Sequence, residues 1–210
     1  WKSDFYSYAL RKGIKKKTLD SAMPFMRFNK TVIKLDRKQP EGKITFNQYM
    51  KRVLPASRIK MGRALMQKHH KILRKIGNRY GVKPSVIVAL WGLESSFGQM
   101  MGGFNVLGSL STLAYEGRRA KFFKRELIYA LRLMQENNVR ASAMQGSWAG
   151  AMGQSQFMPS TYRHYAVDYN RDRKRDIWGT RSDVFASIAN YLSSEGWESG
   201  TRWGREVKVP

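Results

Sequence analysis

The chain of 210 residues contains no cysteine, only six prolines, and only 15 Asp and Glu against 39 Lys and Arg. The lack of cysteine excludes disulfides, thiolate nucleophiles and zinc sites that need sulfur. Two of its three histidines, His69 and His70, are adjacent. On a helix their side chains would point about 100° apart, which gives poor support for a two-histidine metal site. No apolar run approaches the roughly 20 residues of a membrane span, and the first residues do not match a signal peptide. We therefore expect no transmembrane segment.

The excess of positive charge narrows the class of partner. The formal net charge is +24, and residues 1–60 alone hold sixteen Lys and Arg against four Asp and Glu. Such a surface attracts nucleic acid, an anionic membrane or an acidic polysaccharide. No nucleic-acid-binding motif is present, so we expect no nucleic-acid partner, and a basic nucleic-acid-binding protein is the less favoured alternative. Hydrophobic residues make up 42% of the chain, which excludes general disorder.

Apolar side chains recur at helical spacing and predict a mainly α fold. The predicted helices cover residues 58–80, 84–94, 121–136, and a last segment that Ser182 would cap. Strand signals are weak: residues 31–35 and 44–46 flank a turn-like segment and would form a small β ribbon. Glycine-rich stretches at 98–108 and 146–153 interrupt the helices, and such loops let the backbone approach a ligand closely.

Carboxylates are scarce between residues 42 and 167, and Glu94 differs from the other three in this range. It ends the most apolar segment of the chain, residues 86–93. Burial beside apolar side chains raises the pKa of a carboxyl, which suits a general acid. A catalytic acid and a buried structural glutamate both fit this pattern. Glu126 and Glu136 lie among Lys and Arg on a predicted helix, where solvated ion pairs are expected.

Segment 146–160 combines small residues, hydroxyls, amides and aromatics. This composition is typical of a loop that binds a neutral polar ligand such as a sugar, and also of a tightly packed structural loop. It does not match the nucleophile elbow of a serine hydrolase, because Ser147 stands one position too early.

Segment 168–183 begins with the spacing of an EF-hand calcium loop. Its oxygen-bearing positions are Asp168, Asn170, Asp172, the carbonyl of Lys174, Asp176, and Asp183 as a closing ligand. Arg173 stands where glycine is usual, Gly179 stands where a bidentate glutamate is usual, and four cationic side chains lie within the loop. A structural calcium or sodium ion and a turn held by its own Asn and Asp side chains are both compatible with this segment.

Five stretches, in this order, resemble the lytic murein transglycosylase B family, a lysozyme-like group of peptidoglycan-cleaving enzymes. They are LDRKQPE from Leu35, ALWGLESSFG from Ala89, GRRAKFF from Gly117, the loop at 146–159, and DIW from Asp176 followed by ANYL from Ala189. The match runs from about Leu35 to Trp197, and the joint occurrence of the stretches in order is specific.

The resemblance implies a mainly α, lysozyme-like fold and non-hydrolytic cleavage of the bond between N-acetylmuramic acid and N-acetylglucosamine. Glu94 aligns with the family's single catalytic carboxylate. In that role it protonates the glycosidic oxygen and then takes the proton from the muramic acid C6 hydroxyl, which closes a 1,6-anhydro ring. No cofactor is required for this chemistry.

The resemblance also implies roles for other residues. Ser147 aligns with an acetamide contact and Gln156 with a sugar-binding amide. Tyr49 and Tyr191 align with cleft aromatics. Arg118 and Arg119 align with an arginine pair that meets peptide or lactyl carboxylates. The loop from Asp168 corresponds to the family's EF-hand-like metal site.

On this basis we expect a basic helical region, residues 1–80, packed on a lysozyme-like catalytic core, residues 81–210. The family pattern usually continues beyond Trp197 with a Tyr-Asn segment that completes the cleft. A truncated or a naturally short core is therefore expected, and a catalytically silent wall-binding protein is an alternative. The implied partner is the peptidoglycan glycan strand, bound by a monomer in the periplasm or cell envelope, and a lipid anchor upstream of Trp1 is compatible with this location.

Overall fold

The computed structural model describes residues 1–38, 45–116, 118–137, 139–200, 204 and 207–208. These residues form eleven α-helices: α1 (Lys2–Arg11), α2 (Lys16–Ala22), α3 (Lys30–Arg37), α4 (Phe46–Val53), α5 (Ala56–Lys68), α6 (His70–Tyr80), α7 (Pro84–Ser95), α8 (Val106–Glu116), α9 (Ala120–Asn137), α10 (Pro159–Tyr165) and α11 (Arg181–Ser194). Two short 3-10 turns cover Met23–Phe25 and Ala141–Ala143. The mainly α fold is confirmed. None of the described helices is long and apolar enough to cross a membrane.

The small sheet lies elsewhere than the sequence predicts. Strands β1 (Phe104–Asn105) and β2 (Gln145–Gly146) pair antiparallel, with Phe104 opposite Gly146. Residues 31–35, predicted as a strand, lie within α3, because the Asn29 side chain accepts the backbone N–H groups of Thr31 and Val32 and starts a helix there. The other predicted strand is also wrong where it is described, since Phe46 opens α4, and residues 39–44 lie outside the described part of the chain.

Two helix boundaries differ from the sequence pattern. The helix predicted over residues 58–80 is divided at His69, whose ring makes edge contacts with Trp91 and Phe185, at centroid distances of 6.2 and 5.6 Å. The last helix begins one residue before Ser182. Thr180 occupies its N-cap, and the Ser182 hydroxyl instead donates to Asp183.

Two clusters of buried apolar side chains hold these helices together. The first joins α1, α2 and α3 to α8, α9 and α10. The second joins α6, α7 and α11, with Trp91 and Phe185 fully buried and their rings 5.1 Å apart. Burying one large apolar side chain contributes about 1.5–3 kcal/mol. The second cluster therefore anchors α7, the helix that ends at the candidate site. The division of the chain at residue 80 stays a prediction.

Candidate active site

Glu94 lies in the last turn of α7 and lines a cavity of about 200 Å³. Helices α7, α10 and α11 and the loop before α10 supply its walls. The lining residues are Leu90, Glu94, Ser155, Gln156, Phe157, Met158, Thr161, Ile188 and Tyr191. Among these side chains, all of which belong to the described part of the chain, Glu94 is the sole carboxyl.

The surroundings of Glu94 favour its protonated form. Desolvation by the protein around the carboxyl raises its pKa above the ordinary value of a glutamate. The side chain is nevertheless exposed, because one side of it opens to the cavity. A proton held at higher pH, on a group that a ligand can reach, is what general acid catalysis requires.

The backbone turns sharply directly after Glu94. Ser96 and Phe97 both take left-handed conformations, with φ of +48° and +61°, which non-glycine residues seldom adopt. The Arg58 guanidinium donates to the Ser96 hydroxyl at 3.2 Å. The Phe97 ring folds back over Gly92, where an added Cβ would lie 2.6 Å from the ring. The turn after the candidate acid is therefore fixed by a side chain from α5 and by a glycine within α7.

Gln154 ties the helix that carries Glu94 to the segment 146–160. Its Oε1 accepts the indole N–H of Trp91 at 2.8 Å, and its Nε2 donates to the carbonyl of Trp178 at 2.6 Å. Gln154 is buried, and an added Cβ at Gly98 would lie 2.4 Å from its Oε1. The glycine therefore leaves room for the amide that holds the loop against the helix.

Two of the predicted sugar-binding residues line the cavity beside Glu94. Gln156 has a left-handed φ of +48°, and its Nε2 donates to two backbone carbonyls at 2.9 and 3.0 Å. The Tyr191 ring packs against Phe157 with centroids 5.7 Å apart. Both side chains are thereby oriented before any ligand arrives.

Two other predicted contacts do not line this cavity. The Ser147 hydroxyl accepts the backbone N–H of Ala151 at 3.0 Å, within the turn that follows β2. Tyr49 lies on α4 and is 49% exposed. A hydroxyl can still donate to a ligand after accepting one bond, so the role of Ser147 stays a prediction, as does that of Tyr49.

The predicted arginine pair binds a carboxylate of this chain. Arg118 and Arg119 donate to opposite oxygens of Asp36, at 3.0 and 3.2 Å. Asp36 is 6% exposed, and Arg118 also donates to its backbone carbonyl. Neither arginine lines the Glu94 cavity. The pair thus joins α3 to the start of α9.

Glu126 is buried, although the sequence predicts that it lies in solvent. It is fully buried, and its Oε2 accepts the backbone N–H of Ser160 at 2.9 Å, at the beginning of α10. The predicted ion pair is present, since Arg125 Nε lies 3.7 Å from Oε1 of Glu126, but the predicted solvation is wrong, because this face of α9 packs against α10. The same prediction is confirmed for Glu136, which is exposed and pairs with Arg163 at 2.8 Å.

The carboxylates of segment 168–183 accept the loop's own N–H groups. Asp168 accepts from the backbone of Asp172 and Arg173, at 3.1 and 2.8 Å, and Arg173 has a left-handed φ of +68°. Buried Asp183 accepts from the backbone of Tyr169 and Asp176, both at 3.0 Å. These bonds hold the loop in a compact turn.

Asp176 and Asp183 have opposite pKa shifts. Burial opposes ionisation of Asp176, but the N–H groups of Gly179 and Trp178 and the Thr180 hydroxyl outweigh it and lower its pKa. Burial raises the pKa of Asp183 despite its backbone donors. The two carboxyls therefore accept hydrogen bonds from different donors.

The calcium or sodium ion that the resemblance implies for this loop stays a prediction. No group of three or more Asp, Glu or His side chains is arranged to hold a metal anywhere in the described part of the chain, which includes the whole loop. Four cationic side chains, Arg171, Arg173, Lys174 and Arg175, also lie within it. No catalytic step is therefore assigned to a metal.

A second and larger cavity, about 530 Å³, offers no comparable chemistry. It is lined by Trp1, Lys2, Met26, Phe28, Ser111, Thr112 and Tyr115. None of these described residues carries a carboxyl, so the smaller cavity at Glu94 is the candidate active site.

Some residues of the site and of its surroundings could not be predicted from the sequence. Ser155 lies within the segment 146–160, and Thr161 directly follows it. Nothing in the sequence separates Ser155 from the other serines of that segment. Asp36 lies within a stretch that carries the resemblance, yet its contact with two arginines about 80 residues away could be seen only after folding.

The transglycosylase SLT domain family matches the chain over residues 1–210. The chain belongs to this family. The resemblance that the sequence shows to lytic transglycosylases is therefore confirmed.

Individual relatives agree with this family. Membrane-bound lytic murein transglycosylase B of Escherichia coli (strain K12) is 34% identical over 154 residues, which cover 73% of this chain and 42% of the relative. SltB3 from Pseudomonas aeruginosa, solved in complex with NAG-NAM-pentapeptide and with NAG-anhNAM-pentapeptide, matches with a TM-score of 0.95 and 45% identity, over 100% of this chain and 56% of that one. The E. coli lytic transglycosylase Slt35, in complex with calcium, matches with a TM-score of 0.86 and 30% identity, over 96% and 64%. The chain thus spans about half the length of the first two relatives.

Proposed function

We propose that this chain carries the catalytic site of a lytic transglycosylase that cleaves the bond between N-acetylmuramic acid and N-acetylglucosamine in peptidoglycan. The observation that carries the proposal is the solitary Glu94 carboxyl, with its raised pKa, in a cavity that a ligand can enter. Most glycosidases need a second carboxylate, to activate water or to attack the sugar. A reaction that uses the substrate's own hydroxyl needs only one.

In the proposed reaction Glu94 acts twice. Its carboxylic acid first donates a proton to the glycosidic oxygen, and the bond from that oxygen to the muramic acid C1 breaks, with the acetamide oxygen assisting at C1. The carboxylate then removes the proton of the C6 hydroxyl while O6 bonds to C1. The products are an N-acetylglucosamine 4-hydroxyl and a 1,6-anhydro sugar, no water is consumed, and Glu94 is again protonated.

The relatives support this substrate class. SltB3 was solved with both NAG-NAM-pentapeptide and NAG-anhNAM-pentapeptide, and an anhydro sugar is the product form that the proposed reaction releases. Gln156 and Tyr191 are proposed to bind the sugar beside Glu94, and Ser147 and Tyr49 further along the strand. Arg118 and Arg119 keep 62% and 49% of their side chains exposed, so a substrate carboxylate can also reach them. The proposed partner is the peptidoglycan glycan strand, with the protein acting in the periplasm or cell envelope.

The test is a product analysis on purified sacculi. Wild type is expected to release muropeptides ending in anhydromuramic acid, and Glu94→Gln is expected to release none while still binding the wall. Mass spectrometry separates the anhydro product from a hydrolysed one, because the two differ by one water. Release of reducing-end muramic acid would show a hydrolase. Wall binding by wild type with no product of either kind would show a silent wall-binding protein.

A further inference from the structure

Glu126 is a buried carboxyl that the proposed reaction does not use. Three buried side-chain atoms of the described residues have no hydrogen-bond partner: Nε2 of His69, Oε1 of Glu126 and Oγ of Ser155. Of these three side chains, only Glu126 carries a carboxyl group, and it is fully buried. Its ion-pair partner, Arg125, is 62% exposed, with Nε 3.7 Å from that oxygen. Burying a carboxyl with one oxygen left unbonded is costly, so the other oxygen is expected to have a use that offsets the cost.

The other oxygen of Glu126 binds the beginning of α10. Oε2 accepts the backbone N–H of Ser160 at 2.9 Å. Pro159 has no N–H to donate, and Met158, at the N-cap, makes no side-chain hydrogen bond to the helix. A methionine is a poor cap, because its thioether is a weak acceptor. A carboxyl from α9 therefore supplies the acceptor that the N-cap residue of α10 lacks.

The beginning of α10 is also a wall of the Glu94 cavity. Met158 and Thr161, on either side of Ser160 along the chain, both line it. The residues of α9 are all described, and none of them lines the cavity. Glu126 is therefore out of reach of a ligand there, and it acts on the cavity through the backbone of α10.

We propose that Glu126 is a positioning residue for the Glu94 site, which holds the Ser160 N–H and thereby fixes the α10 wall where the reaction requires it. This inference rests on the proposed function, because it is the reaction at Glu94 that needs the wall. A displacement of about 1 Å, caused by a change far from the reacting atoms, can cost about a hundredfold in rate. The bond uses only the acceptor property of the carboxyl, so a neutral amide should serve as well.

The test compares Glu126→Gln with Glu126→Met. Glutamine keeps an oxygen for the Ser160 N–H, whereas methionine has a similar length but no strong acceptor. We expect Glu126→Met to lower kcat for anhydromuropeptide release about tenfold or more, and Glu126→Gln to stay within about threefold of wild type. KM should change less than kcat, because no group that contacts the substrate is removed. If Glu126→Met does not fold, Glu126→Asp replaces it, since the shorter side chain keeps the charge but withdraws the oxygen from Ser160.

A second measurement does not depend on turnover. The carboxyl carbon of Glu94 is followed by NMR across pH in each variant. Displacement of the α10 wall would hydrate this carboxyl, so Glu126→Met should bring its raised pKa closer to the ordinary value of a glutamate, and Glu126→Gln should leave it unchanged. A merely structural role would not move this pKa in the folded protein. If wild type releases no anhydromuropeptides, the proposed function fails, and the titration still decides whether Glu126 holds the wall.

The matched control is Gln135→Met, on the same helix. Oε1 of Gln135 accepts the backbone N–H of Lys15 at 2.7 Å, so this change removes the same kind of bond from the beginning of α2 instead of α10. It should lower the melting temperature and leave both kcat and the pKa of Glu94 unchanged. Wild-type kcat with an unchanged Glu94 pKa in Glu126→Met would overturn the proposal. Equal losses in Glu126→Met and Glu126→Gln would also overturn it, because they would show that the charge matters and not the hydrogen bond.

Discussion

Trp91 donates its indole N–H to the amide oxygen of Gln154 across the buried interface between α7 and the loop before α10. This bond joins the helix that carries Glu94 to the segment that carries Ser155 and Gln156. The two walls of the cavity therefore depend on one side-chain amide, which the backbone carbonyl of Trp178 holds from its other end.

Replacement of Gln154 by leucine should disturb both stability and catalysis. Leucine leaves the Trp91 N–H and the Trp178 carbonyl without their partner, and a buried orphan of this kind costs about 1–3 kcal/mol. We expect a loss of that size in urea unfolding and a lower kcat, because Glu94 and the opposite wall shift relative to each other. Gln67→Leu, at an exposed position on α5, is the control and should change neither quantity. A loss of stability with kcat intact would limit the bond to a role in folding.

The raised pKa of Glu94 predicts a pH-dependent difference between wild type and Glu94→Gln. Ionising Glu94 is harder in the folded chain than in the unfolded chain, so wild type loses stability as pH rises from the ordinary glutamate range through the raised pKa. Glutamine does not ionise. The variant should therefore be the more stable protein near pH 7, and the gap in melting temperature should close below about pH 4. A gap that is constant with pH would contradict the shift.

The same shift predicts the pH dependence of activity. A general acid works only while it is protonated, so kcat/KM should fall as pH rises through the pKa of Glu94, above the ordinary range of a glutamate. Rates of anhydromuropeptide release measured across pH would locate the pH at which kcat/KM falls. An activity that falls only in the range of lysine would point to a different acid.

The ion pairs of Asp36 predict a structural effect far from the cavity. Asp36→Asn removes the charge that binds Arg118 and Arg119, while the exposed arginines can turn to water. We therefore expect a loss of about 1–2 kcal/mol, less than for a fully buried pair. Double replacement of both arginines by glutamine should cost a similar amount. If it also raises KM for peptide-bearing substrates but not for peptide-free ones, the arginines meet the stem peptides as the resemblance implies.

The helices that bury continuous apolar faces could be predicted from the sequence, and the small sheet could not. The periodicity of residues 84–94 and 121–136 reflects packing in α7 and α9, where burial decides the structure. Residues 31–35 are rich in β-branched side chains, but the Asn29 cap two positions earlier outweighed that local preference. Strands β1 and β2 have two residues each, too few to leave an alternating pattern.

The candidate site, like the fold, could be predicted only in part from the sequence. Glu94 stands out in the sequence because it is a rare carboxylate at the end of an apolar segment, whereas Gln156 and Tyr191 are predicted only through the resemblance. The burial of Glu126 and the orphaned hydroxyl of Ser155 depend on which elements pack together. Neither leaves a signal in the residue's own neighbourhood along the chain.

The hydrogen bonding of the 168–183 loop predicts that calcium has little effect on stability. The loop's carboxylates already accept its N–H groups, and its cationic side chains oppose a bound cation. Calcium or EDTA should therefore shift the melting temperature by less than about 1 °C, well below the shift that 1 kcal/mol would produce. A calcium-dependent rise that is lost in Asp172→Ala would instead establish the ion that the resemblance implies.

The excess of positive charge on α5 and α6 predicts salt-sensitive binding to the cell wall. Residues 45–93 contain eleven Lys and Arg and no Asp or Glu, and peptidoglycan stem peptides carry carboxylates. Raising the salt from about 50 to 500 mM shortens the screening length and should weaken binding to sacculi. Replacing Lys60, Lys68, Lys71 and Lys75, all exposed, by glutamine should lower the low-salt affinity and flatten the salt dependence. The control is a variant with arginine at the same four positions, which keeps the charge.

Uncharged chitin distinguishes wall carboxylates from a general salt effect in that experiment. Binding to chitin should depend little on salt and should be unaffected by the lysine replacements, because it presents sugars without carboxylates. If chitin shows the same salt slope as sacculi, or if the arginine control loses as much affinity as the glutamine variant, attraction to wall carboxylates does not explain the basic surface. The glutamine variant should meanwhile release anhydromuropeptides at the wild-type rate per bound molecule, since none of the four lysines lines the Glu94 cavity.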